Sequence, residues 1–410
     1  MPLEKYAASH EGRIFAATLA ACRGPGISET YPPVTANIQK DFFKQPRHLS
    51  AAKAELLQAF LLHWVAAVTS SAPVPSTVDL LLIDFLANPG PDELSEVPAL
   101  VLKSIFLESG PRRGVERRLS AFFYDASKVA LQRTKLFIEA VPLLEELPRP
   151  PLFLQTPQEH ALLQESLAAP NSALIILDPF AGKVSQELWI NTLNRPDTHF
   201  LVLLEPSKLK AAVKSAVAGS PAQQFFGETL PALQGKMTNP GTPSAKKERL
   251  LVDAFLGRLA FFDLAGTKFR VNLPGKDATH FYAVFVSAQE GLHGQFKETL
   301  LPYSDVQEDG VPLMGVNLKP LKLLVPEYHQ YLEFSQHKLV EDLRTRATDF
   351  HNQPLEKIYL RHHLGTPYSK PNYKLAYETL KAEGAVTFQN PKTAQLIHKL
   401  TFDCRIKYVK

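Results

Sequence analysis

Continuous apolar runs, each closed by an acid, recur through the middle of the chain. Residues 78–83 end at Asp84, 119–124 at Asp125, 173–177 at Asp178 and 200–204 at Glu205, with a shorter run at 152–154. Helical spacing fills most of the gaps, at 129–144 and 158–167 among others. Strands that are apolar at every position and separated by helices imply a mostly parallel sheet covered on both faces, a doubly wound α/β core. Ahead of the first run, Leu49, Ala52, Leu56, Leu57, Phe60, Leu61, Trp64 and Val68 recur every three or four residues and predict an amphipathic helix over 47–68. It ends in the breaker-rich stretch 70–76. Beyond the last run, after 211–218, the pattern predicts a mobile Pro/Gly/Ser-rich loop at 235–244 and a helix at 246–259. Strands near 269–273 and 280–286 follow, then a charged helical connector at 326–350.

The final stretch has a different rhythm. A helix at 355–363 stops near Gly365, and a second, led by Pro371, runs to Leu380 or Lys381 with Gly384 behind it. A short strand at 385–388, a turn at Asn390 and Pro391, and the alternation of Phe402, Cys404, Ile406 and Tyr408 with polar residues complete it. Helix, helix and two-stranded ribbon is the order of a winged helix-turn-helix. The chain thus divides into a helical extension packing on the core (1–75), the α/β core (76–300), a helical connector (301–354) and a winged-helix-like α+β domain (355–410).

Charge sharpens that division. Residues 355–410 carry ten Lys/Arg against four acids, a balance of +6, while everything before them sums to −2. An excess of positive charge confined to one piece points to a phosphate-bearing partner, with Lys370, Lys374, Lys381 and Lys392 as the candidate contacts. On the second helix, Tyr373, Ala376, Tyr377 and Leu380 form a core-facing stripe, and Asn372, Lys374, Glu378 and Lys381 point elsewhere. The two cysteines, Cys22 and Cys404, support neither a disulfide framework nor a thiolate metal site. No run approaches the roughly 20 apolar residues of a membrane span, and the first ten residues show no hydrophobic leader core. A cytoplasmic protein without a membrane partner is expected.

In an open parallel sheet, ligands bind beyond the carboxyl ends of the strands, so the acids there are the candidates for chemistry. Asp84 opens the turn Phe85, Leu86, Ala87, Asn88, Pro89, Gly90, whose small residues let a ligand approach the backbone. Asp125 stands where a carboxylate hydrogen-bonds the two hydroxyls of a ribose. Asp178, Pro179 and Phe180 put an acceptor, a stiff turn and an aromatic ring at the mouth, suited to a substrate amine on a planar base. Each acid has a plainer reading as a helix N-cap, which Glu205 before Pro206 fits best. His362 and His363 are adjacent and diverge on a helix, which suggests surface or capping roles. The cluster Arg112, Arg113, Arg117 and Arg118 faces either solvent or a phosphate backbone, and 291–294, with His293, reads as a plain turn.

Lys53 on the first helix, the run 84–90, Asp125 and the stretch 178–182 are together similar to the motifs of the three-Cys-motif partner proteins of bacteria and phages. The core of that family resembles a class I S-adenosylmethionine-dependent methyltransferase. The resemblance spans about 45–206. It implies a Rossmann-like methyltransferase fold, S-adenosylmethionine as cofactor on Asp84, Leu86, Ala87, Asn88, Gly90 and Asp125, and an acceptor site at Asp178, Pro179 and Phe180. It further implies a nucleic-acid substrate and a protein partner encoded nearby, within a defence or repair system. Asn88 replaces a glycine of the family pattern, and Ala181 intervenes before Gly182. These departures leave a second reading open, that of a non-catalytic methyltransferase-like scaffold binding nucleic acid or a protein.

Overall fold

A computed structural model describes residues 42–71, 79–85, 102, 118–140, 148–180, 182–274, 280–319 and 332–409. Helix α1 (Leu49–Ser71) precedes strands β1 (Leu80–Asp84) and β2 (Leu119–Phe123), helix α2 (Lys128–Glu139) and strand β3 (Leu152–Phe153). Then come α3 (Pro157–Ala168), β4 (Ser172–Leu177), α4 (Lys183–Thr192), β5 (Thr198–Leu204) and α5 (Pro206–Ser215). Helices α6 (Pro221–Phe226), α7 (Leu230–Thr238) and α8 (Ser244–Leu259) lead to β6 (Ala265–Asn272), β7 (His280–Ser287), α9 (Glu290–Leu300) and β8 (Gly315–Val316).

These strands make one eight-stranded sheet in the order β3-β2-β1-β4-β5-β7-β6-β8. Strands β1 to β5 are parallel, and β7 runs antiparallel to both β5 and β6. The order reverses between β1 and β4, which opens a crevice at their carboxyl ends. Alternation along each strand feeds two cores. On one face Leu174, Ile176, Leu201, Leu203, Phe281 and Phe285 pack beneath α1 and α9. On the other, Ile175, Leu177, Val202, Leu204 and Val284 pack beneath α3 to α8. With both faces covered, the strands need no polar alternation, which is why they read as unbroken apolar runs. The apolar stripe of α1 from Ala52 to Trp64 is the lid of the first core. By length and hydropathy its Ala51–Val68 stretch matches a membrane span, contrary to the sequence expectation, but that same stripe is buried against the sheet.

Helices α10 (Gln336–Thr345) and α11 (Ala347–Phe350), strand β9 (Gln353–Pro354), helices α12 (Leu355–His362) and α13 (Lys370–Ala382) and strands β10 (Val386–Gln389), β11 (Leu396–Ile397) and β12 (Arg405–Tyr408) form the C-terminal piece. Its sheet runs β11-β10-β12-β9, antiparallel throughout. Leu339, Val340 and Leu343 of α10 share one core with Ile358, Tyr373, Tyr377, Val386 and Ile406. Part of the stretch read as a connector is therefore integral to this piece.

Four local expectations are corrected. The loop expected at 235–244 is shorter than expected, because Leu233 and Met237 bury one face of α7 and carry the helix through Gly235 to Thr238; 239–243 connect it to α8. Residues 291–294 are the first turn of α9 and not a plain turn, with His293 buried beneath it. His362 and His363 are buried and not on the surface; His363 nevertheless is the C-cap of α12, its N–H donating to the Tyr359 carbonyl. Asn372 does not point away from the core: it is buried and forms a capping box with Ser369 at the start of α13.

Candidate functional site at the strand ends

The topology brings Asp84, Asp125, Asp178 and Glu205 to one edge of the sheet. Asp84 is the last residue of β1 and only 3% exposed; its carbonyl accepts the Tyr124 N–H at 2.9 Å, which ties the β1 and β2 ends together. The expected cofactor turn, Leu86, Ala87, Asn88 and Gly90, lies outside the described residues, as do Arg112, Arg113 and Arg117. Asp125 is half-buried and is not the cap of α2. Its Oδ1 accepts the Ser127 N–H at 2.6 Å, and Ser127 itself caps the helix through Ala130 N–H. The Tyr124 ring lies 4.8 Å from that of Phe85 and 6.1 Å from the His160 ring. The result is an aromatic shelf along the β1 and β2 ends. Burial, and then the neighbouring Asp125 charge, raise the Tyr124 phenol above its ordinary value, so it stays a neutral hydroxyl. His160, on the first turn of α3, carried no sequence signal that distinguishes it from any helix-start histidine.

Asp178 follows β4 and is fully buried. Its Oδ1 accepts the Phe180 N–H at 3.0 Å, a turn closed by its own side chain. It does not cap α4, whose N-cap is Gly182. Its Oδ2 has no hydrogen-bond donor, and the Lys208 Nζ stands 3.5 Å away. Burial raises the Asp178 carboxyl above the ordinary range, against the opposing pull of the Phe180 N–H and of Lys208. Phe180 is not at the mouth. Its ring, 8% exposed, stacks on Phe226 at 6.5 Å and meets Phe255 edge-on at 6.2 Å, because its apolar area is better buried in the core than left in a crevice. Pro179 is buried beside it.

Glu205 occupies the N-cap position of α5 but makes no side-chain cap bond. It accepts hydrogen bonds from Lys53 Nζ at 2.6 Å and from Lys208 Nζ at 3.1 Å. Burial works to raise its carboxyl, and the two ammonium groups outweigh burial and bring it below the ordinary value. Lys208 is raised by the opposite balance, its burial outweighed by Asp178 and Glu205. The expectation of a simple cap missed this network, since Lys53 and Glu205 are 152 positions apart.

One strand further, where Leu204 pairs with Tyr282, lies a second polar cluster that the sequence reading did not find. Glu248 of α8 accepts the Tyr282 hydroxyl at 2.8 Å, stands 2.8 Å from His280 Nε2 and pairs with Arg270 at 3.6 Å. Burial first, and Glu248 second, raise the Tyr282 phenol. Among the described residues no group of three or more His, Cys, Asp and Glu is arranged to hold a metal ion. A cavity of about 260 Å³ opens at the opposite edge of the sheet, near Arg195, Thr198 and Asp263. Arg195 is committed there to the carbonyls of Leu167, Ala169 and Asn171, which marks that edge as structural.

Of the four lysines expected at nucleic acid, Lys370, Lys374 and Lys381 share one face of α13 by helical spacing, but they differ in what they touch. Lys370 pairs with Glu298 at 3.0 Å and with Glu356 at 3.9 Å. Lys381 donates to the His398 carbonyl at 2.9 Å. Lys374, on α13 with its ammonium 5.4 Å from the Phe402 ring, and Lys392, between β10 and β11, are exposed. Exposed beside Lys374 are Leu375 and Glu378.

A scan against models of known protein families finds no match, and a search of curated proteins finds no similar sequence.

Proposed function

We infer that the chain is an S-adenosylmethionine-dependent methyltransferase-like protein directed at nucleic acid. One observation carries the reading: Asp84, Asp125 and Asp178 converge at the carboxyl edge beside the switch in strand order, where an open α/β sheet binds its ligand. An antiparallel strand inserted between the fifth and sixth strands is also the sheet order of class I methyltransferases, a fold-level analogy that supports the motif resemblance. The residues fit the cofactor in kind. Half-buried Asp125 is a carboxylate of the kind that accepts from ribose hydroxyls, the Phe85–Tyr124 shelf suits a purine face, and Asp84 bounds the turn toward 86–90.

When bound, S-adenosylmethionine supplies an already activated methyl group, so the protein's part is to bind and orient. Asp178 Oδ2 is the acceptor suited to an amine of the substrate, while Phe180 only stiffens the turn by packing behind it. The C-terminal order α10, β9, α12, α13, β10, β12 supports a winged-helix reading, and its charge of +6 supports phosphate binding. Lys374 and Lys392 are the contacts retained, and Lys370 and Lys381 serve the fold. A cytoplasmic setting and a partner protein encoded nearby, in a bacterial or phage system, rest on the resemblance alone.

The non-catalytic scaffold is favoured by one feature: Leu375 on α13 and Leu396 on β11 are exposed, 47% and 68%, as on a protein-docking face. A thermal-shift titration separates the readings. The enzyme-like protein gains melting temperature with S-adenosylmethionine and S-adenosylhomocysteine, since a ligand that binds only the native state stabilises it. No shift with either at millimolar concentration contradicts the cofactor assignment.

A further inference from the structure

Asp178 is the most deeply buried acid at the strand ends, and its charge depends on groups drawn from two helices, α5 with its N-cap and α1. Its Oδ1 is satisfied by the Phe180 N–H, but Oδ2 has only the Lys208 ammonium, 3.5 Å away. A carboxylate so placed has lost its hydration and takes up a proton unless a nearby cation offsets the loss. Lys208, on the first turn of α5, is held in place by Glu205, which accepts from it at 3.1 Å. Glu205 is in turn anchored by Lys53 of α1, whose buried ammonium donates to it at 2.6 Å. Charges therefore alternate along Lys53, Glu205, Lys208 and Asp178, spanning the ends of β5 and β4.

We propose that Lys208 is a positioning residue that favours the ionised form of Asp178 against its burial, biasing the carboxyl after β4 toward accepting from a ligand N–H group and not donating to it. Glu205 acts in the opposite sense, because its negative charge repels that of Asp178 and draws on the same ammonium. Lys53, more distant, favours the ionised form by neutralising Glu205. The identity of the ligand group rests on the methyltransferase reading; the coupling of charges does not.

The test is the carboxyl titration of Asp178 in the full-length, ligand-free protein, followed by NMR of ¹³C-labelled aspartate and assigned by the signal lost in Asp178→Asn. Lys208→Met is expected to raise the proton affinity of Asp178 about tenfold or more, the usual effect of removing an opposite charge within a few ångströms. Lys208→Arg restores it. Glu205→Gln moves it the other way, toward weaker proton binding, while its amide oxygen still accepts from Lys53. The Lys208 side chain is 40% exposed, so its replacement opens no cavity in the core, and a melting curve verifies each fold. Should Lys208→Met fail to fold, Lys208→Gln and Glu205→Gln carry the same pair of opposed shifts. A titration unchanged by loss of the Lys208 charge, or displaced in the same direction by the Lys208 and Glu205 variants, overturns the proposal. Opposed shifts in a protein that binds no S-adenosylmethionine support the coupling and count against the methyltransferase reading alone.

Discussion

Acid destabilises this fold through its buried histidines; burial lowers His362 as well, but three others are shifted furthest. His199 lies on β5 with its Nδ1 2.9 Å from the Ser287 hydroxyl; His293 of α9 bridges the Thr267 hydroxyl and the Ser287 carbonyl; His363 stacks on Tyr359 with rings 4.5 Å apart. Burial, the dominant cause in each case, lowers His199 and His293 to about 4 and His363 to about 3, from an ordinary 6.5. Above pH 6.5 the rings are neutral in both folded and unfolded chains and cost nothing. As pH falls below 6.5 the unfolded chain takes up protons that the folded chain refuses, so stability is lost progressively until the folded values are reached. At pH 5 the imbalance is about 2 kcal/mol for each ring, or about 6 kcal/mol together, comparable with the whole stability of many domains. Glu205, lowered, adds to the loss as pH falls through its own range, and Asp178, raised, opposes it. Urea unfolding at pH 7.5 and pH 5, read by tryptophan fluorescence, measures the difference. In His199→Gln, whose amide stays neutral at both pH values, the pH dependence is expected to shrink by about one ring's share, about 2 kcal/mol. A midpoint that is the same at both pH values, or a His199→Gln variant with the full wild-type dependence, refutes the reasoning.

Three further outcomes are expected. A Cβ on Gly266 meets Leu256 Cδ2 at 2.6 Å and Leu259 Cδ1 at 2.7 Å, so Gly266→Ala overpacks β6 against α8 and costs about 1–3 kcal/mol in chemical denaturation. Arg195→Ala removes donors from three carbonyls at the end of α3 and in the loop after it and from Thr198 Oγ1, lowering stability by about 2–3 kcal/mol while leaving cofactor binding at the opposite edge unchanged in calorimetry. Lys374→Ala and Lys392→Ala each weaken DNA or RNA binding and each reduce the salt slope of log K by about 0.7 to 0.9, whereas Lys370→Ala acts on stability through its lost pair with Glu298.

The parallel core was legible because strands buried on both faces must be apolar at every position, and the acids closing them mark the carboxyl edge. The helix α1 and the helix pair α12 and α13 were legible from periodicity and from Pro371 and Gly384 at the ends of α13. The site itself was legible only in part. Asp84, Asp125 and Asp178 advertise themselves by position, but Glu205 looks like any residue before a helix-starting proline, and its partner Lys53 lies on a helix far away in sequence. Phe180 was misread because a motif cannot tell a ring at a mouth from one turned into the core; that depends on Phe226 and Phe255, contributed by later helices. The adjacent His362 and His363 diverge as expected, yet both directions lead into protein. His362 spans Asp342 and the Tyr373 hydroxyl, each at 2.6 Å, and His363 packs on Tyr359. Pairwise packing of distant elements leaves no local trace in composition or spacing.

The central claim is that the acids at the carboxyl edge bind S-adenosylmethionine, and calorimetric titration of the full chain with S-adenosylhomocysteine tests it most directly. The account predicts one site per chain in the wild type and an affinity weakened by about 1–3 kcal/mol in Asp125→Ala, through loss of hydrogen bonds to a charged acceptor. Absence of binding heat in the wild type at several temperatures, or equal affinity in Asp125→Ala, contradicts it.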